Sequence, residues 1–234
     1  MKGKTALITG GTKGIGYGIA EAMLNEEMNV VITGRNQATV DEAVNALAKI
    51  GKGQILGVAS DVRDLASQES SVTQTVEKFG SLDVLIANAG VGHFASIENL
   101  TSEQWQQTID INLTGVFNSI KAALEPLKTS KGYFISIASL AGTNFFAYGA
   151  AYNASKFGLV GFTQAVMLDL RKHGIKTTTI MPGSVATHFN NHVPNDADAW
   201  KIQPEDLGQM VIDLLKMNPR TLPSKIEVRP SQTA

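Results

Sequence analysis

The chain has 234 residues, 43% of them apolar, a formal net charge of −1 and no cysteine. Near-neutral charge excludes a strong electrostatic pull toward nucleic acid or an anionic membrane, and the lack of cysteine excludes disulfides, thiolate nucleophiles and thiolate zinc sites. No apolar run approaches the ~20 residues of a membrane span, and MKGKTALITGG lacks the apolar core of a secretory signal, so a cytoplasmic location is expected.

Short β-branched runs alternate with longer amphipathic stretches. TALIT (5–9) is a predicted strand, followed by a glycine turn and a helix near 14–27. NVVIT (29–33) is the second strand, and VDEAVNALAKI (40–50) has helical apolar spacing. ILGVAS (55–60) comes next, then a polar helix ending near Phe79. VLIANAG (84–90) holds the fourth strand. Ser102 reads as the N-cap of a long helix reaching about Leu124, before Pro126. YFISIAS (133–139) is the fifth strand, and GAAYNASKFG (149–158) opens a helix to about Lys172. IKTTTIMPG (175–183), a helix at about 204–217 and a strand around 225–228 complete the chain. Apolar strands without alternation are buried on both faces, and regular alternation with helices implies a parallel sheet covered on each side. The expected fold is therefore α/β: one doubly wound, Rossmann-like domain over residues 1–234 with about seven parallel strands. Such a sheet binds ligands beyond the carboxyl ends of its strands.

TGGTKGIG (9–16) directly follows the first strand and opens a helix. Glycines permit a tight turn and close approach to a pyrophosphate, which the free N–H groups of the helix start can hold. The spacing Gly10, Gly14, Gly16 differs from the standard dinucleotide fingerprint, and no P-loop lysine follows. A plain strand–helix turn is the bland alternative. The second strand ends in Thr33-Gly34-Arg35-Asn36, with no acid for a ribose 2′-hydroxyl. An arginine there suits a 2′-phosphate, and Lys13 adds a second cation for the same corner. NADP(H) is the expected cofactor, NAD(H) the weaker alternative, and solvated surface cations the bland one. Asp61-Val62, after the third strand, could accept a hydrogen bond from adenine or cap a helix. Asn88-Ala89-Gly90, after the fourth, would let backbone pass close to the cofactor.

Tyr152 and Lys156 lie four apart, on one face of a helix. Reducing a carbonyl by hydride needs a proton delivered to its oxygen. A phenol of pKa near 10 holds that proton tightly, and a nearby ammonium would lower the value toward working pH. Small neighbours, Ala151, Ala154 and Ser155, would leave clearance for cofactor and substrate.

The set TGGTKGIG, NAG, DINLTGVF, ISIASLAG, YNASK and MPGSVAT, in this order, resembles the short-chain dehydrogenase/reductase family from Thr5 to about Thr187, in its single-domain branch. The resemblance implies that Tyr152 is the general acid and that Lys156 lowers its pKa and holds the nicotinamide ribose. It implies that Ser139 binds the substrate carbonyl oxygen and that Asn112 holds a water linking Lys156 to solvent. Pro182, Gly183, Val185 and Thr187 would contact the nicotinamide carboxamide. With the glycine turn, the implied cofactor set is Gly10, Thr12, Lys13, Gly14, Ile15, Gly16, Arg35, Asp61, Val62, Asn88, Ala89, Gly90, Tyr152, Lys156, Pro182, Gly183, Val185 and Thr187. Each has a bland reading: Ser139 and Thr187 as caps, Asn112 as a buried structural amide.

Substrate choice in that family implicates a lid at 187–201 and the segment between Ser139 and Tyr152, with Phe145, Phe146 and Tyr148. Val91, His93 and Phe94 would line another wall. The resulting expectation is an apolar, partly open pocket for a small-molecule carbonyl or alcohol. A 3-oxoacyl-acyl-carrier-protein reductase is the alternative, opposed by Glu125 in KAALEPLK where a cation for the carrier is expected. A non-catalytic NADP-binding regulator is the alternative of another class. His188 and His192 are four apart, but no third ligand is evident and no metal is expected. The long helices near 102–124 and 150–172 could pair subunits into a homodimer or homotetramer, although the ending KIEVRPSQTA departs from the usual family terminus.

Overall fold

The computed structural model describes residues 1–233. Seven strands form one fully parallel sheet: β1 (Thr5–Thr9), β2 (Asn29–Gly34), β3 (Ile55–Ala59), β4 (Val84–Ala87), β5 (Tyr133–Ile137), β6 (Lys176–Pro182) and β7 (Lys225–Val228). Their spatial order is β3-β2-β1-β4-β5-β6-β7. The direction of winding reverses between β1 and β4, which opens a crevice at their carboxyl ends. All residues of β1, β4 and β5 are buried, which is why these runs read as continuously apolar.

Seven α-helices cover the two faces: α1 (Gly14–Asn25), α2 (Gln37–Leu47), α3 (Leu65–Phe79), α4 (Ser102–Ile109), α5 (Gly115–Ser130), α6 (Ala150–Leu170) and α7 (Pro204–Lys216). One apolar cluster packs α1 and α7 on the sheet through Ile19, Met23, Leu207 and Val211. The opposite cluster packs α3, α5 and α6 through Val72, Ile120, Leu127 and Leu159.

The expected helix over 102–124 differs in three ways. Its N-cap is Thr101, whose hydroxyl accepts from the Gln104 N–H while the Gln104 side chain returns the bond, a reciprocal capping box. It is interrupted by a π-helical turn at Asp110–Thr114, closed by Gly115 N–H donating to the Asp110 carbonyl. It also continues through Pro126 to Ser130. Proline removes one helix hydrogen bond, but Ala123 and Leu127, both 0% exposed, anchor the turn on either side. The chain ends that helix at Lys131, which takes the left-handed conformation (φ 49°).

Candidate active site

The strand ends converge on a cleft of about 1860 Å³ lined from the glycine turn to the lid. At one end, Gly10 takes φ +65°, and a Cβ there would sit 2.9 Å from the Ala89 Cα. Asn88 fastens this turn: its Nδ2 donates to the Thr9 and Gly10 carbonyls at 2.9 Å each. Thr9 Oγ1 accepts in return from the Asn88 and Ala89 N–H groups. The Asn88 side chain therefore acts on the turn itself. α1 begins at Gly14 with no side-chain cap and no acid in its first turn, so its leading N–H groups keep the positive end of the helix dipole for an anion. A Cβ on Gly14, which takes φ +59°, would meet the Thr187 side chain at 3.3 Å. The loop after β6 thus closes against the glycine turn.

Lys13 and Arg35 are exposed on the same wall. Neither takes part in an ion pair among the described residues. Asp61 instead holds Arg63 through both oxygens, and this bonding keeps its carboxyl below the usual range. The Val62 carbonyl accepts from Asn118 Nδ2 at 2.9 Å.

The other end is built on β5 and α6. Ser139 caps a 3₁₀ turn, its Oγ accepting from the Ala141 N–H at 3.1 Å, and it also stands beside Tyr152. Lys156 is 4% exposed. Its Nζ donates to the Ile137 carbonyl at 3.1 Å and lies 5.7 Å from the Tyr152 ring centre. Burial pushes this ammonium down to about 8. Burial also pushes the Tyr152 phenol up, and the Ser139 hydroxyl pulls it part of the way back. The expectation that Lys156 lowers the phenol is therefore corrected here: the ammonium is directed to the strand-end carbonyl, and desolvation dominates at the phenol.

Asn112 is fully buried on the π-helical turn. Its Oδ1 accepts from the Val91 N–H, and its Nδ2 donates to the Val91 carbonyl (2.8 Å) and to Ser155 Oγ (3.0 Å). Both amide hydrogens are thus committed, and Oδ1 keeps a second lone pair. The side chain is a tie between α6 and the segment after β4. The widened turn positions it for that tie.

Pro182, Gly183, Val185 and Thr187 line the cleft after β6, with Gly183 N–H bonded to the Val228 carbonyl. Phe94 packs edge-on to Tyr152 at 5.4 Å and close to Phe146 and Phe189. Phe189 also meets Tyr152, at 5.7 Å. Phe145 and Tyr148 are not part of this wall. Phe145 is 83% exposed and stacks on Phe157, and Tyr148 is a left-handed surface residue. Sequence reasoning did not single out Phe189, nor Gln107 from α4, nor the Arg229–Thr233 tail, which also reach the cleft. Nothing in their local sequence marks them.

The lid is tied by one buried carboxylate. Asp198 binds Lys201 and His192 at 2.5 Å each and the Asn195 N–H at 3.1 Å. The Lys201 and His192 bonds, in that order, hold its carboxyl far below the usual range. His188 and His192 are not on an α-helix, and no group of three metal-ligating residues occurs among the described residues. Asp198→Ala is expected to loosen the lid without unfolding the sheet, seen as several-fold faster thermolysin cleavage within 188–201.

The short chain dehydrogenase family model matches residues 4–198. The chain belongs to the short-chain dehydrogenase family. Among its relatives, a D-beta-hydroxybutyrate dehydrogenase of Cupriavidus necator is 38% identical over 80% of this chain and 72% of that one. A 3-oxoacyl-[acyl-carrier-protein] reductase of Synechocystis is 33% identical over 82% and 78%. The alcohol dehydrogenase of the archaeon Thermococcus sibiricus, solved with 5-hydroxy-NADP, superposes with a TM-score of 0.93 at 25% identity, covering 99% of this chain and 98% of that one. This short-chain dehydrogenase is an oxidoreductase for alcohol or ketone substrates with a nicotinamide cofactor. No helix among the described residues is long and apolar enough to cross a membrane.

Lys156 makes a stability prediction that is independent of turnover. A buried ammonium lowered from 10.5 to about 8 costs the native state on the order of 3 kcal/mol below pH 8. Between about 8 and 10.5 the unfolded chain holds the proton and the native chain does not, so this group makes stability rise with pH across that window. Lys156→Met is expected to raise the melting temperature at pH 7 by several degrees and to flatten that rise. Calorimetry from pH 7 to 10 checks both, and a lowered melting temperature would refute the account.

Proposed function

We propose that the protein is an NADP(H)-dependent oxidoreductase that interconverts a small ketone or aldehyde and its alcohol, with Tyr152 as general acid and base. The observation that carries this reading is one cleft holding both ends of the chemistry: Lys13 and Arg35 at the phosphate corner, Ser139, Tyr152 and Lys156 at the other. The cradle fits a dinucleotide, because Gly10 and Gly14 leave room where a Cβ would intrude and the α1 start is uncapped. The solved relative complexed with 5-hydroxy-NADP is consistent with a nicotinamide dinucleotide in this cleft. Gly10 through Gly16 would hold the pyrophosphate, Lys13 and Arg35 the 2′-phosphate, and Asp61 and Val62 the adenine side. Pro182, Gly183, Val185 and Thr187 would line the nicotinamide. When bound, the nicotinamide supplies or accepts the hydride.

The chain's own residues handle the proton. Ser139 orients the substrate oxygen toward the phenol. Tyr152 gives its proton to that oxygen during reduction and takes one from the alcohol during oxidation. With burial holding the phenol protonated, the resting site is poised for reduction. Lys156, buried beside the ring, would hold the nicotinamide ribose, and Asn112 holds α6 against the Val91 segment so that this geometry persists. Phe94 and Phe189 pack on the Tyr152 ring and narrow the approach of water to the phenol.

Glu125 is exposed and paired with Lys128, which disfavours an acidic acyl carrier on that helix. A homodimer or homotetramer fits exposed Trp105 on α4 and Phe117 on α5. A panel of carbonyl compounds with NADPH, followed by loss of cofactor absorbance, tests the reading. Tight NADPH binding without turnover of any carbonyl would make the protein a non-catalytic binder.

A further inference from the structure

The aromatic wall around Tyr152 has one polar break. His93 Nε2 and Gln107 Oε1 are 2.6 Å apart, and both residues line the cleft that holds Tyr152 and Ser139. His93 directly follows Gly92, whose absent side chain leaves room for the Phe189 and Phe94 rings. Phe94 in turn packs on Tyr152 at 5.4 Å. The pair therefore borders the space a substrate carbon skeleton would fill, one residue along the chain from the ring that touches the phenol.

Hydrogen-bond bookkeeping gives the pair its selectivity. With Gln107 Oε1 as the acceptor, His93 donates from Nε2, and the tautomer carrying its proton there presents Nδ1 as an acceptor. The Gln107 Nε2 has two hydrogens and no hydrogen-bond partner among the described residues. One acceptor and two donors match a hydroxyl, which both gives and receives. A plain hydrocarbon chain would leave the polar atoms unpaired, and sites built to bind a substrate hydroxyl discriminate strongly against analogues lacking it.

The geometry points to a hydroxylated carbonyl compound, a hydroxy ketone, hydroxy aldehyde or small sugar, as the substrate class, with His93 and Gln107 binding the second oxygen. This rests on the carbonyl-reductase reading above and narrows it.

The test compares 2-butanone, 1-hydroxy-2-butanone and 4-hydroxy-2-butanone as substrates with saturating NADPH. Wild type is expected to favour at least one hydroxy ketone over 2-butanone by tenfold or more in kcat/KM. Gln107→Leu and His93→Phe should each reduce that advantage below threefold. Because a hydroxyl also activates a neighbouring carbonyl chemically, the loss of advantage in the variants is the decisive comparison. Gln107→Glu, which keeps an acceptor for His93 but removes the donors, should lose the advantage too, and it serves where Gln107→Leu folds poorly. Equal or better use of 2-butanone by wild type, or an advantage that survives in all three variants, overturns the inference and leaves carbonyl reduction standing. No turnover of these or any other carbonyl overturns the underlying reading instead.

Discussion

Tyr152→Phe is expected to lower kcat for carbonyl reduction by about 10²–10⁴-fold, the range set by losing a positioned proton donor. Cofactor affinity should stay within a few-fold, because the ring remains to pack on Phe94 and Phe189 and only the hydroxyl is removed. Stability should change little or rise, since the buried hydroxyl is raised above its ordinary value mainly by desolvation. The same shift gives the pH dependence a direction. Reduction needs the phenol protonated, so its rate should stay level through neutral pH and fall only in strong alkali. Alcohol oxidation needs the phenolate and should rise with pH over the same interval. Steady-state kinetics in both directions checks the turnover and its pH dependence, fluorescence titration the cofactor affinity, and thermal melting the stability. A Phe variant that keeps more than a tenth of wild-type kcat would remove the tyrosine from the chemistry.

The sheet was readable from the sequence because its central strands are buried on both faces. That burial writes itself as unbroken apolar runs such as Leu85-Ile86 and Phe134-Ile135. The lining of the cleft was readable for a related reason: a parallel sheet opens its crevice just past its strand ends, and Ser139, Asn88 and Gly183 line it there. Features that depend on a distant partner were not readable. The π-helical turn exists where Asn112 reaches back 21 residues to Val91, and no local pattern announces such a tie. Pro126 looked like a stop because only its own backbone was considered. Leu127 and Ala123, locked into the core, outweigh the missing hydrogen bond. The direction in which the Tyr152 phenol shifts could not be read from spacing, since four residues' separation says nothing of where an ammonium points, and here it points to the Ile137 carbonyl. Phe145 and Phe146 are adjacent in the chain, yet one stacks on Phe157 outside and the other faces Phe94.

Arg35→Asp is expected to shift the NADPH/NADH ratio of kcat/KM by more than tenfold toward NADH, equivalent to about 1.4 kcal/mol or more. Two changes act together: a cation suited to a phosphomonoester disappears, and a carboxylate suited to a ribose 2′-hydroxyl takes its place. Folding should be unaffected, since Arg35 is exposed and its neighbour Asn36, not Arg35, caps α2. Lys13→Ala should move the ratio the same way by a smaller factor, because Lys13 sits at the α1 start, where the helix dipole already favours an anion. Ionic strength offers an independent reading of the same corner. Exposed charges are screened over about 8 Å at physiological salt, so raising salt should weaken NADPH binding more than NADH binding in the wild type. In Arg35→Asp that difference should shrink, because the extra phosphate charge no longer meets its main counter-charge. A ratio unchanged by the substitution would mean that Arg35 is a solvated surface cation, and the assignment of NADP(H) as the cofactor would fall with it.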